Sequence, residues 1–76
     1  MKELIEFVAK SLVDEPDAVE THAFERGDQT IIELEVAPND LGKVIGRQGR
    51  TARALRTLLA AAGQKSRRRT QLDILD

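Results

Sequence analysis

The residues best suited to chemistry in this sequence form a short glycine-containing segment, Val44-Ile45-Gly46-Arg47-Gln48-Gly49-Arg50. Its two glycines lack side chains that would keep a sugar-phosphate backbone at a distance, and they permit conformations that aim backbone N–H groups outward. Arg47 supplies a forked, charged donor for phosphate, and Gln48 can donate to phosphate or sugar. A helix that begins after Gly49 adds the positive end of its dipole. The segment therefore favours binding of a phosphate backbone.

Further cations border this glycine pair along the chain. Lys43 precedes it, and Arg50, Arg53 and Arg56 follow it at intervals of three residues. On a helix that interval places the three arginines on one face, roughly opposite the leucines of the same segment, so we expect them to face solvent. The alternative is a tight helix-turn-helix corner in which the glycines serve geometry and the arginines serve solubility. Spacing and charge alone leave both interpretations open.

Catalytic and metal-binding patterns are missing from the sequence. There is no cysteine, and the single histidine, His22, stands between Thr21 and Ala23 in a predicted strand. A general base needs partners within reach, and no serine, metal-ligand or phosphate-loop motif accompanies this histidine, so we interpret it as structural. The carboxylates are spread along helix and strand faces. The sequence therefore argues against an enzyme and predicts no metal and no cofactor.

Length and charge limit the organisation of the chain. Its 76 residues suit one small domain, and its net charge of −1 hides an asymmetry. Residues 1–39 carry 3 Lys or Arg and 10 Asp or Glu, whereas residues 40–76 carry 9 and 3. An anionic partner would therefore meet the C-terminal half. The longest apolar runs are a few residues and the N-terminus enters an amphipathic pattern at once, so we expect no membrane span and a cytoplasmic location.

The first half of the chain reads as a helix followed by a hairpin. Leu4, Ile5, Val8 and Leu12 form one stripe at helical spacing, and the proline at position 16 ends the helix. Alternating patterns then predict strands at 19–24 and 30–36, joined by a turn at 26–28. In the second strand Ile32, Leu34 and Val36 alternate against Ile31, Glu33 and Glu35.

The second half reads as two helices and a last strand. Residues 38–40 open a short helix with Asn39 as its N-cap and Leu41, Val44 and Ile45 facing inward, and the helix ends at Gly46. A second helix spans about 50–62, and its apolar stripe is Leu55, Leu58, Leu59 and Ala62. Gly63 is its predicted C-cap, and a basic loop follows at 64–69. Leu72 and Ile74 mark a strand. We predict an α+β fold, in which three helices cover one face of a three-stranded sheet.

The order of these elements and the motifs among them resemble those of a known family. The order helix, strand, strand, helix, Gly-x-x-Gly turn, helix, strand resembles a type II KH domain spanning residues 1–76, and the whole chain is similar to the short stand-alone bacterial KH proteins of the KhpA type. The specific stretches are Val36-Ala37-Pro38, Asp40-Leu41-Gly42-Lys43-Val44-Ile45-Gly46 and Ala54-Leu55-Arg56. One departure is Arg47, where the family often has lysine, and this keeps the charge.

The resemblance implies that single-stranded RNA lies in a groove while the glycine turn presses on its backbone. It further implies an RNA chaperone that acts with a larger KH-containing protein in cell-length and cell-envelope control, as a homodimer, a heterodimer or both. The predicted RNA-binding residues are Lys43, Val44, Ile45, Gly46, Arg47, Gln48, Gly49, Arg50 and Arg53. The chain has only two aromatic residues that could stack on bases, Phe7 and Phe24. We therefore expect the RNA to be held through its phosphates and by an aliphatic groove floor near Val44 and Ile45.

Two alternatives stay open. In the first, the chain is a protein-interaction module in which residues 60–62 or the first helix dock another chain and the glycine turn is only structural. The second concerns the segment Lys65-Ser66-Arg67-Arg68-Arg69, which is more basic than the resemblance leads us to expect. It either extends the phosphate track or is a solvated connector, and the connector is slightly favoured because basic runs are common on surfaces.

Overall fold

Helices and strands follow one another in the predicted order. The computed structural model describes residues 2–66 and 69–75. Its elements are α1 (Lys2–Leu12), β1 (Glu20–Arg26), β2 (Gln29–Glu35), α2 (Leu41–Ile45), α3 (Arg50–Ser66) and β3 (Arg69–Ile74), with 3₁₀ turns at Pro16–Ala18, Pro38–Asp40 and Arg47–Gly49. The order α-β-β-α-α-β and the single sheet confirm the predicted α+β class and are consistent with a type II KH fold.

The three strands form one mixed sheet in the order β1-β2-β3. β1 and β2 are antiparallel, with a register that runs from the pair Glu20 and Glu35 to the pair Arg26 and Gln29. Gly27, at φ +62°, takes the first position of the connecting two-residue turn, which confirms the predicted hairpin. β3 lies parallel to β2, so the chain must cross over between them, and α2, the glycine turn and α3 make that crossover.

The two faces of the sheet differ in polarity. Toward the helices it presents the buried side chains of Thr21, Ile32, Leu34 and Leu72, and the opposite face, here called the open face, carries Glu20, His22, Phe24, Glu33 and Glu35. Ile31 points to the open face as predicted, yet it is only 3% exposed. Its register partners, Phe24 on β1 and Gln71 on β3, flank it on both sides. Cross-strand neighbours, which the linear pattern does not show, therefore bury it.

The helices reach the core through narrower stripes than the sequence predicts. On α1 the fully buried residues are Ile5 and Ala9, whereas Leu4 and Leu12 are 42% and 39% exposed. On α3 the buried residues are Ala52, Leu55 and Leu59, whereas Leu58 is 48% exposed. Each helix rests on one layer of strands, so only one line of residues along its axis is enclosed and the flanking leucines stay at its borders. Leu4, Leu12 and Leu58 belong to the predicted apolar stripes, but the structure leaves them at the exposed borders of the helices.

Several predicted boundaries also need correction. α3 continues through Gly63 to Ser66, so Gly63 is not a C-cap, and residues 64–66 of the predicted basic loop belong to the helix. Arg69 already belongs to β3, while Arg67 and Arg68 lie outside the described residues. Asn39 is not the N-cap of α2. That position belongs to Asp40, whose carboxylate bonds to another part of the chain.

Candidate nucleic-acid interface

The turn between α2 and α3 has an unusual backbone. α2 ends at Ile45, its C-cap Gly46 adopts φ +78° and ψ 169°, and the 3₁₀ turn Arg47–Gly49 leads directly into α3. Gly49 has φ +73°. Between the glycines, Gln48 adopts φ 58° and ψ 27°, the only positive φ of a non-glycine residue among those described. Three of the four residues of the Gly-x-x-Gly motif therefore occupy conformations that L side chains disfavour.

The two glycines are needed for different reasons. A Cβ on Gly46 would collide with Thr51 Oγ1 and would lie 2.8 Å from both the backbone nitrogen and the Cβ of Thr51. The combination of φ +78° and ψ 169° is also one that only glycine adopts readily. A Cβ on Gly49 meets nothing within 4 Å, so that position requires glycine for its φ of +73° alone. Gly46 lets α3 begin close against the end of α2, and Gly49 shapes the outer surface of the turn.

Gln48 is held in a strained conformation at an exposed position. A non-glycine residue in the left-handed region costs on the order of 1–3 kcal/mol, and such residues concentrate at functional sites. Glutamine gives no sequence signal for a positive φ, unlike asparagine or glycine, so sequence reasoning predicted its side-chain chemistry but not its backbone. This backbone conformation sets the direction in which the Gln48 side chain leaves the turn.

The amides of the turn are partly used within the protein. Gly46 N donates to Gly42 O at 2.8 Å, and Gly49 N donates to Gly46 O at 3.1 Å. The Arg50 amide donates to Arg47 O. These bonds brace the turn, and they direct the Gly49 and Arg50 N–H groups inward rather than outward. The contribution of the turn to anion binding therefore rests more on side chains than the glycine pattern alone suggests.

Three arginines make this end of the molecule basic. Arg47, Arg50 and Arg53 are exposed, and none of them forms an ion pair within residues 2–66 and 69–75. Arg56, one turn further along α3, is exposed as well but directs its Nη2 to Leu72 O of β3 at 3.4 Å. The structure thus brings together the turn and the first two turns of α3 as one cationic surface, here called the arginine surface (Arg47, Arg50, Arg53).

Lys43, predicted with these residues, is committed elsewhere. Its Nζ donates to Asp14 Oδ2 at 2.6 Å and to Asp40 Oδ1 at 3.3 Å. The hydrogen bonds to Asp14 and then Asp40 raise the pKa of Lys43 above its ordinary value of 10.5. Two carboxylates therefore neutralise a cation that the sequence places beside the glycine turn.

Asp40 is the centre of that network and a residue whose role sequence reasoning missed. It is 1% exposed, and its two carboxylate oxygens accept the backbone N–H groups of Asp14 at 3.1 Å and Glu15 at 3.0 Å. Desolvation by burial would raise the pKa of Asp40, but those amides and Lys43 outweigh it, so the pKa lies below the ordinary 3.8. The carboxylate joins the chain after α1 to the start of α2. No local signal reveals it because its partners lie 25 and 26 residues away.

The two apolar residues before the turn, Val44 and Ile45, differ in their exposure to solvent. Val44 is fully buried, so its side chain supports α2 from beneath and does not form a groove floor, whereas Ile45 is 37% exposed. A separate groove of about 280 Å³ is lined by Glu35, Val36, Pro38, Leu41 and Leu75. It does not include the glycine turn, and Glu35 brings a negative charge to its lining, which disfavours phosphate. Of the predicted floor, Ile45 alone offers apolar surface beside the arginines.

No helix within the described ranges is both long and apolar enough to span a bilayer.

Comparisons with known proteins agree with this architecture. The family model described as "KhpA/KhpB, KH domain" matches residues 2–74. The chain is 57% identical over 74 residues to the RNA-binding protein KhpA of Borreliella burgdorferi, covering 97% of this chain and 90% of that protein. It is 53% identical over 76 residues to the protein of the same name from Halalkalibacterium halodurans, with both chains covered fully. The Aquifex aeolicus protein of that name is 50% identical, over 100% of this chain and 96% of its own. A search of solved structures gives no significant match.

Proposed function

The chain belongs to the KhpA/KhpB KH-domain family, and from that premise we propose that it binds single-stranded RNA through the Gly46–Gly49 turn. The relatives with which it shares about half of its residues, over 90–100% of their length, are named RNA-binding proteins. The predicted fold and turn occupy the same part of the chain as the matched domain, residues 2–74.

The observation that carries this proposal is the arginine surface around the strained turn. Arg47, Arg50 and Arg53 are exposed cations without an ion-pair partner in the described ranges, on a molecule whose first half is acidic. Charges that are not neutralised internally are available to phosphates, and each phosphate contact releases counterions. Arg47 sits within the turn itself, where Gly46 and Gly49 leave no side chain in the way.

Recognition in this proposal depends on the RNA backbone more than on base stacking. Phe7 lies on α1 and Phe24 on the open face of the sheet, where the Arg26 guanidinium stands 6.0 Å from its ring centroid. Neither aromatic side chain lies on the elements that carry the arginine surface. Without stacking platforms there, we expect modest sequence preference and strong salt dependence.

The test is an RNA-binding titration of Arg47→Asp/Gln48→Asp by fluorescence anisotropy with a labelled single-stranded RNA. Aspartate tolerates the left-handed backbone at position 48 at least as well as glutamine does, so the variant is expected to fold. The matched control is Arg26→Asp/Gln29→Asp, which makes the same residue changes and the same change of charge at the far end of the hairpin. Circular dichroism confirms folding of both variants.

The proposal predicts a large loss of affinity for the turn variant and near wild-type affinity for the hairpin control. An equal loss in both would mean that only overall charge matters. Unchanged affinity in the folded turn variant would contradict the proposal and favour the alternative of a protein-interaction module with a structural glycine turn.

We further propose that binding through the backbone gives the protein an RNA chaperone activity. A protein that grips single strands with little sequence preference stabilises opened RNA relative to paired RNA. The measurement is the rate at which a fluorescently labelled RNA hairpin opens and anneals to a complementary strand. Wild-type protein is expected to accelerate annealing, and Arg47→Asp/Gln48→Asp is expected not to.

We propose that the chain works as a pair, with a second copy or with a larger KH-containing protein. One domain of 76 residues offers a single shallow binding surface, and linking two such surfaces raises affinity through effective concentration. Phe7 on α1 is 71% exposed and Leu58 on α3 is 48% exposed, which favours these helices as contact surfaces. Analytical ultracentrifugation of two variants tests which surface forms the pair. Weaker association in Phe7→Ser would identify the first helix, and weaker association in Ala61→Arg would identify residues 60–62.

In the cell we propose a cytoplasmic role in gene expression that affects cell length and the cell envelope. The test replaces the chromosomal gene with the Arg47→Asp/Gln48→Asp variant. Cells are expected to show the length of a deletion strain, while Arg26→Asp/Gln29→Asp is expected to leave length unchanged.

The basic segment 65–69 is assigned by a separate substitution. Replacing Arg67, Arg68 and Arg69 with glutamine is expected to weaken binding uniformly across RNA sequences if the segment tracks phosphates. Unchanged affinity would identify it as a connector.

A further inference from the structure

On the open face of the sheet, three side chains converge in a way that the RNA-binding proposal does not use. One ligand atom from each of Glu20, His22 and Glu35 lies within 4.8 Å of the other two. We propose that these residues form a binding site for a divalent transition-metal ion of the zinc type.

The strand register brings the three residues together. Glu20 and Glu35 are direct partners in the antiparallel pair of β1 and β2. His22 lies two residues after Glu20 on the same strand, so it projects from the same face. Hydrogen-bonded strands fix all three Cα positions, and only side-chain rotation is needed to close on an ion. The sequence could not show this because Glu35 lies on the other strand, and a lone histidine reads as structural.

The electrostatics of this face favour a cation. Two like charges directly opposite each other on neighbouring strands destabilise the pairing, and Glu20 and Glu35 are such a pair. Glu33 stands opposite His22, and Asp73 stands opposite Glu33 on β3, so the same face adds two more carboxylates. Within residues 2–66 and 69–75, neither Glu20 nor Glu35 has an ion-pair partner. A bound divalent ion removes a repulsion that no ion pair among the described residues compensates.

The donor set indicates which ion fits. Zinc accepts both imidazole nitrogen and carboxylate oxygen as ligands, whereas calcium and magnesium prefer oxygen ligands alone. Zinc bonds of about 2.0–2.2 Å place tetrahedral ligands roughly 3.4 Å apart, which is closer than the present limit of 4.8 Å. All three side chains are exposed, so no packing opposes the small rotations that close this gap. Water completes the coordination.

The site is separate from the glycine turn. Glu20, His22 and Glu35 face away from the helix layer, and α2, the turn and α3 all belong to that layer. Metal binding and RNA binding therefore use opposite sides of the molecule, and the metal proposal does not depend on the RNA proposal.

The test is isothermal titration of tag-free protein with zinc chloride, repeated for His22→Gln, Glu35→Gln and Glu33→Gln. Glu33→Gln is the matched control, because it removes one negative charge from the same strand and face but leaves the three proposed ligands intact. Losing even an outer-shell partner of a metal ligand typically costs about 10–100-fold in affinity. We therefore expect His22→Gln and Glu35→Gln, which each lose a direct ligand, to weaken binding at least tenfold and clearly more than Glu33→Gln, which loses only a neighbouring charge.

The outcome also has a structural readout. In the wild-type protein one equivalent of zinc is expected to shift the imidazole proton resonances of His22, and magnesium at the same concentration is expected to leave them in place. Three results would overturn the proposal: no saturable binding by the wild-type protein, equal weakening in Glu33→Gln and Glu35→Gln, or full affinity in His22→Gln.

Discussion

Substituting the two glycines of the turn one at a time is expected to give very different losses of stability. Gly46→Ala places a Cβ against Thr51, including its backbone nitrogen at 2.8 Å, so the first turn of α3 must shift. It also forces alanine into φ +78° and ψ 169°, which by itself costs on the order of 1–3 kcal/mol. Gly49→Ala meets no atom within 4 Å and bears only the cost of φ +73°, about 1–2 kcal/mol.

These magnitudes are large for a chain of this size. At roughly 0.05–0.15 kcal/mol per residue, 76 residues give a free energy of unfolding of about 4–11 kcal/mol. We expect Gly46→Ala to lose more than about 3 kcal/mol, since the steric overlap adds to the backbone term. For a domain of 60–100 residues each kcal/mol lowers Tm by about 4–8 °C. The expected drop is therefore more than about 12 °C for Gly46→Ala and about 4–16 °C for Gly49→Ala.

Thermal unfolding followed by circular dichroism measures both variants, and a third variant identifies the cause. The double variant Gly46→Ala/Thr51→Gly lacks the overlaps with Oγ1 and Cβ of Thr51 but keeps the close contact with its backbone nitrogen. We therefore expect Gly46→Ala to lower Tm less in the Thr51→Gly background than in the wild-type protein. Equal Tm losses for Gly46→Ala and Gly49→Ala, or no recovery in the double variant, would refute the steric reasoning.

Three further predictions concern stability. Gln48→Gly relieves left-handed strain of about 1–3 kcal/mol and costs about 0.5–1 kcal/mol of chain entropy, so urea unfolding is expected to show unchanged or higher stability. Because the pKa of Asp40 is lowered on folding, its carboxylate stabilises the fold above its ordinary value of 3.8, and that contribution is lost as pH falls through the folded value. Asp40→Asn is expected to lower Tm at neutral pH and to weaken the dependence of Tm on pH in the acid range, whereas an unchanged acid dependence would contradict this role. Leu59→Ala is expected to cost about 2–5 kcal/mol and Leu58→Ala less than about 1 kcal/mol, since only Leu59 is fully buried, and comparable losses in urea unfolding would contradict the assigned stripe.

The order of the elements could be predicted from the sequence because each signal is local. Alternation in residues 30–36, the glycine in the hairpin turn and the proline after α1 all act within a few residues. The sequence did not predict correctly which helix residues are buried, because burial depends on how each helix packs on the sheet. Leu58 and Leu59 are equally apolar neighbours, yet only Leu59 belongs to the buried core, which includes Leu72 of β3. The end of α3 was also mispredicted, since glycine at position 63 is tolerated inside the helix.

The site shows the same division between local and distant causes. The spacing of Gly46, Arg47 and Gly49 was enough to predict a turn between two helices with exposed cations beside it. The neutralisation of Lys43 was not predictable, because Asp14 lies 29 residues away in the sequence. The convergence of Glu20 with Glu35 depends on the hairpin register, and a single-residue slip of that register would turn one of them to the other face.

We propose above all that Arg47 holds an RNA phosphate, and the salt dependence of RNA binding tests this contact most directly. Each phosphate contact on a single strand contributes about −0.7 to the slope of log affinity against log salt concentration, so three contacts give about −2. Arg47→Gln removes one contact and is expected to reduce the steepness of that slope by about 0.7, with the loss of affinity largest at low salt. A slope equal to that of the wild-type protein, measured on the folded variant with the same single-stranded RNA, would contradict the account.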